Sequence, residues 1–153
     1  MISNIFWLTT VIYLCGVLMM LTGNMKITIN DKRKIFAIQE EFNNLFPFLK
    51  IEFYSKSQKQ GGASSKKAFE LSSKTLSDCR TIHKSGHITV TPQMTVASLE
   101  KNFNDVFGLS VQVFRKSGRL WLETTVTDSW TLEDQNHQGE LLSKSSAEKD
   151  NKK

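Results

Sequence analysis

Two stretches of the chain place their apolar and polar residues in the same order. Each opens on a run that is apolar at every second position, Lys26-Ile-Thr-Ile-Asn30 and His87-Ile-Thr-Val-Thr91. Each continues with apolar residues three and four apart: Ile35, Ile38, Phe42 and Leu45 in the first, Val96, Leu99, Phe103 and Val106 in the second. That spacing predicts a helix with one dry face. A breaker follows, Pro47 or Gly108, and then a second alternating run, Leu49-Lys-Ile-Glu-Phe53 or Leu109-Ser-Val-Gln-Val113. Both stretches close on Lys-Ser, at 56–57 and 116–117. Matching positions stand 61 residues apart up to Phe46 and Phe107, and 60 apart from Leu49 onward. The skipped residue falls at a helix–strand junction, where an insertion is best tolerated. The pattern therefore predicts two β-α-β repeats, 26–57 and 87–117.

Local signals sharpen the picture. Asn30 or Asp31 is the expected cap of the first helix and Thr95 of the second. Pro47 ends the first helix and a left-handed Gly108 the second. Arg115-Lys-Ser-Gly118 reads as a hairpin loop with positive φ at Gly118, returning through a strand Arg119-Leu-Trp-Leu-Glu123. Leu76 to Ile82 has room for one or two helical turns. Asp128 or Thr131 is placed to cap a short last helix ending near Gln138, and 143–153 reads as a disordered polar tail. The expected class is α+β: a ferredoxin-like or related two-layer sandwich with an extra hairpin strand and a short C-terminal helix.

Residues 25–142 then make one domain. Ahead of it, Ile5 to Leu21 is almost entirely apolar. No base precedes this run and no small-residue cleavage site follows, so it is a poor secretory signal. Two readings of 1–24 stand. It is a membrane anchor, with Lys26, Lys32, Arg33 and Lys34 holding the domain in the cytoplasm. Or translation starts at Met25, immediately before the first strand.

The 153 residues carry a net charge of +5, unevenly spread. Eight bases and three acids lie between Lys50 and His87, whereas Trp121 to Leu142 holds five acids and no Lys or Arg. Such asymmetry can steer an anionic partner to one side. Two cysteines, Cys15 and Cys79, do not make a disulfide scaffold and fit a reducing compartment, so the expected location is cytoplasmic.

With the aliphatic residues of the strands, Leu120 and Leu122 among them, turned toward the helices, the opposite sheet face carries Lys26, Lys50, Tyr54, His87, Gln112, Phe114, Arg119 and Trp121. Aromatic and basic side chains mixed on an open sheet suit single-stranded nucleic acid or another polyanion. Tyr54, Phe114 and Trp121 would stack on bases; Lys50, Lys56, Lys59, Arg115, Lys116 and Arg119 would meet phosphates. The alternative is that the same face binds protein, self-associates, or is covered by the C-terminal segment with Trp130 and Leu132. Cys79, His83 and His87 are weak metal candidates, since their spacing is not a familiar zinc pattern. No phosphate-binding glycine loop or nucleophile–base signature is present, so neither catalysis nor a cofactor is expected.

The strings Thr95-Val-Ala-Ser-Leu-Glu100, Phe107-Gly-Leu-Ser-Val-Gln-Val-Phe-Arg-Lys-Ser-Gly118 and Trp121-Leu-Glu-Thr-Thr125 resemble a family of small uncharacterised bacterial α+β proteins. The resemblance runs from Met25 to about Gly139 and implies chains that begin near Met25. It implies no activity.

Overall fold

The computed structural model describes residues 24–54 and 74–150, with side chains through Ser146. The readings of 1–23, and of the loop with Lys56 and Lys59, lie outside the described residues. The element order is β1 (Met25–Ile29), α1 (Ile35–Leu45), β2 (Leu49–Tyr54), a 3-10 turn (Leu76–Asp78), β3 (Gly86–Val90), α2 (Val96–Phe107), β4 (Ser110–Ser117), β5 (Leu120–Glu123), a second 3-10 turn (Thr125–Thr127) and α3 (Leu132–Asp150). The fold is α+β.

The strands form two antiparallel sheets, β1–β3 and β2–β4–β5. A ferredoxin-like arrangement would gather the four repeat strands into one. Residues 55–85 separate β2 from β3, so no tight hairpin ties those two strands together. Each strand pairs instead with its counterpart in the other β-α-β unit. Ile27 faces Ile88, and Glu52 faces Gln112. These are the residues that the sequence offsets equate. Antiparallel pairing of equivalent residues gives each sheet a local two-fold axis at that pair.

The correspondence extends beyond the strands. Leu76 N–H donates to the carbonyl of Arg33 and Leu132 N–H to that of Met94, both at 2.9 Å. Ile35 N–H donates to Lys74 O and Val96 N–H to Trp130 O. Lys34 bridges Thr75, and Thr95 bridges Thr131. The sequence signal was Thr75-Leu-Ser-Asp78 and Thr131-Leu-Glu-Asp134, a Thr-Leu-x-Asp string that occurs in both units. In both, the Thr hydroxyl donates to the Asp carboxylate, at 2.9 and 2.7 Å. Both leucines are fully buried.

One core joins the sheets to α1 and α2. Phe42, Phe53, Phe103 and Phe107 are fully or almost fully buried, and Phe53 meets Phe103 edge-on at 5.9 Å. Val106, expected inside, is 43 % exposed, and its neighbour Phe107 is buried instead. The Phe107 ring lies against β3, within 3.2 Å of where a Cβ at Gly86 would stand. The caps also differ from expectation in α1. Its N-cap is Lys34, without a side-chain hydrogen bond, rather than Asn30 or Asp31. In α2, Thr95 accepts from Ser98 N–H and Gly108 is left-handed at φ 62°, as expected. The last helix is capped by Thr131, whose hydroxyl accepts from Asp134 N–H. It runs on to Asp150 instead of stopping near Gln138, so 143–150 is helix rather than a disordered tail. No proline interrupts this stretch, and Glu140 pairs with Lys144 one turn on.

Candidate functional site

The β4–β5 hairpin gathers most of the candidate residues. Ser117 faces Leu120 across a two-residue loop, Gly118-Arg119. Glycine with positive φ (59°) at the first loop position suits the right-handed twist of the strands. A Cβ at Gly118 would also come within 2.7 Å of Ser146 Oγ, so the end of α3 lies against the turn. Thr124 stops β5 after four residues. Its N–H and hydroxyl both donate to the carbonyl of Val113, which turns the chain back over β4.

Strand alternation sorts the side chains into two faces. On the outer face of β2–β4–β5, Lys50 stands opposite Phe114, which stands opposite Glu123, and Lys116 stands opposite Trp121. Lys50 Nζ lies 5.0 Å from the centre of the Phe114 ring and 5.3 Å from that of Trp121. A cation so placed over two rings is held by their quadrupoles. It also donates to Glu52 Oε1 at 3.0 Å. Tyr54 is half-buried on this face, and burial, then the charges of Glu52, Glu123 and Glu100, push its phenol above its ordinary pKa. The face is therefore aromatic but of mixed charge.

Arg115 does not join it. Its side chain points to the opposite face, under α3. Nη1 donates to Gln135 Oε1 at 2.7 Å, and the guanidinium sits 5.8 Å from the Trp130 ring. Gln135 is fully buried and donates to Thr127 in turn. Trp130 and Leu132 belong to this same side, so the C-terminal segment covers the Arg115 face and not Trp121. Arg119 is exposed in the loop. Lys26 and His87 sit on the separate β1–β3 sheet.

The inner face holds another departure from the sequence reading. Leu120 and Leu122, expected in the core, are 66 % and 41 % exposed. The five core-facing residues of β2 and β4 stay buried because α1 and α2 pack over them; β5 extends past that cover. Val126, just beyond, is 96 % exposed.

The cysteine and histidines do not form a centre. Burial pushes the Cys79 thiol up to about 11, which keeps it protonated and poorly nucleophilic at neutral pH. Its Sγ donates weakly to Thr75 O. His83 Nδ1 instead lies 3.0 Å from Asp31 Oδ1, which also accepts from Arg80 Nε and Nη2. His87 is exposed on β3. Among the described residues, no three His, Cys, Asp or Glu side chains are grouped to hold a metal ion. A cleft of about 300 Å³ opens beside Trp130, Asp134, His137 and Gln138, and Cys79, His83 and His87 do not line it. Among the described residues no helix is long and apolar enough to cross a membrane.

No family model, curated protein or solved structure matches the chain.

Proposed function

We propose that the protein is a non-catalytic binding module that takes an extended polypeptide segment along the free edge of β5. The observation that carries this reading is the exposure of Leu120 and Leu122 on β5, the outermost strand of the β2–β4–β5 sheet among the described residues. An exposed apolar edge strand offers backbone hydrogen bonds for affinity and alternate side-chain positions for selection. The buried, free Cys79 suits binding in a reducing compartment such as the cytoplasm. Duplication of one β-α-β unit with its trailing Thr-Leu-x-Asp string accounts for the matched strand registers.

The rival reading is single-stranded nucleic acid on the outer face, and the cluster of Lys50, Phe114 and Trp121 favours it. Two of its phosphate contacts are already engaged, however: Arg115 with Gln135, and Lys50 with Glu52. Glu52 and Glu123 on the same face would repel phosphate.

Selection from a random peptide library displayed on phage tests the proposal. Enriched peptides should alternate apolar and polar residues, and should lose binding to a Leu120→Lys, Leu122→Lys variant with an unchanged circular-dichroism spectrum. Peptides that bind that variant equally well would overturn it. So would tight, salt-sensitive binding of mixed single-stranded DNA that Trp121→Ala abolishes.

A further inference from the structure

We propose that the extended segment β5 takes is β5 of a second copy of this chain, paired antiparallel about Trp121. This rests on the reading of β5 as an interaction edge.

The strand and its flanks read Arg119-Leu-Trp-Leu-Glu123. Laid antiparallel on itself with Trp121 opposite Trp121 of the second copy, it sets Leu120 against Leu122 and Arg119 against Glu123, at both ends. Directly opposite side chains share a face and interact, and opposite charges there are favourable. Sliding the copies by two residues in either direction loses both charge pairs. One slide also places Trp121 against Arg119, and the other places it against Glu123. The sequence of the edge is thus complementary to itself in one register.

The backbone is prepared for the same register. Lys116 N–H donates to Phe48 O at 2.9 Å, away from β5. The Lys116–Trp121 pair is therefore the one without mutual hydrogen bonds, because such pairs alternate along an antiparallel ladder. The N–H and C=O of Trp121 consequently point to the edge of β5 that pairs with no strand among the described residues. A two-fold axis at Trp121 lets the two copies exchange both bonds there. Proteins guard exposed edges with proline, bulges or inward-pointing charges. Leu120–Glu123 contains no proline, and its inward-facing residues are Leu120 and Leu122. The product is one continuous sheet, β2–β4–β5 joined to β5–β4–β2. The two Lys50–Phe114–Trp121 clusters meet at the middle of its outer face.

Charge exchange in sedimentation equilibrium is the test. The full chain at micromolar concentration should sediment as two copies. Arg119→Glu places like charges opposite each other twice, and Glu123→Arg does the same with bases. Each should weaken the dimer about tenfold or more, since like-charge juxtaposition is strongly unfavourable. The double variant Arg119→Glu, Glu123→Arg should restore it. Both positions are exposed, and unchanged circular-dichroism spectra confirm the fold of each variant. Association through any other segment would ignore the exchange, so a dimer that neither single variant weakens overturns the inference. A chain that stays monomeric but still selects alternating peptides on β5 also overturns it and leaves the interaction-edge reading standing. A monomer that selects no peptide removes both.

Discussion

The two β-α-β units share a skeleton but not the means that finish it. In the first unit the N-cap of α1 is Lys34, with no side-chain cap bond, and its C-cap is Phe46, directly before Pro47. In the second, Thr95 caps α2 and Gly108 closes it. At Thr75-Leu-Ser-Asp78 the first unit makes a single 3-10 turn, and Arg80 is then buried against Asp31. At Thr131-Leu-Glu-Asp134 the second unit instead begins the 19 residues of α3. β4 acquires a hairpin partner, β5, on the side where β2 has none among the described residues. Even the polar bridges between helix and sheet are exchanged. Gln39 donates to Glu52 in the first unit, whereas Glu100 accepts from Gln112 in the second. Amide and carboxylate trade places while the bond is kept. The core elements thus correspond in order and in strand register, and what distinguishes the units lies at their ends. The candidate site belongs almost wholly to the unit with the longer ends.

That comparison can be tested by stability measurements, beginning where the units should agree. Phe42 and Phe103 hold matching, fully buried positions. Either Phe→Ala change should lower the unfolding free energy by about 3–5 kcal/mol in urea titrations. A loss under about 1 kcal/mol at one site would mean that the two cores are not equivalent, since surface changes are of that size.

The next effect should appear only in the second unit. Gly108→Ala forces a left-handed backbone on an L-residue and brings its Cβ within 2.4 Å of Thr81 Oγ1. A loss of about 1–2 kcal/mol is expected from the backbone alone. If thermal melts are unchanged, the glycine does not hold the α2–β4 junction. Thr95→Ala should cost about 1 kcal/mol by removing the cap bond to Ser98 N–H. Lys34→Ala in the first unit removes no such bond and should cost less.

The smallest effect is electrostatic and belongs to the first unit. Hydrogen bonds from His83 and then Arg80 hold the Asp31 carboxyl below its ordinary value of 3.8. A depressed folded-state pKa gives stability that is fully present above the unfolded value and is lost as pH falls through the folded one. Asp31→Asn keeps an acceptor for Arg80 and removes only the charge. Denaturant titrations should therefore show a modest gap between wild type and Asp31→Asn at neutral pH, closing as pH falls below 3.8. A gap that persists unchanged in acid would show that the charge contributes nothing.

The local rules were legible in the sequence. Periods of two and near four marked the strands and helices. The breakers Pro47 and Gly108 marked where α1 and α2 stop, and Gly118 marked the hairpin. These signals depend on a residue and its near neighbours along the chain, so they survive without a structure. Tertiary structure decided the rest. Alternation says which residues of a strand share a face, but not which strand lies alongside or whether a helix covers that face. Pairing β1 with β3 and β2 with β4 split the expected sheet in two and carried Lys26 and His87 away from Trp121. α3, longer than its weak apolar pattern announced, drew Arg115 under itself. β5 ran beyond α1 and α2, so Leu120 and Leu122, apolar and on the core-facing side, stayed exposed. A hydrophobic residue prescribes burial only where another element is present to bury it, and that depends on contacts between positions far apart in the chain.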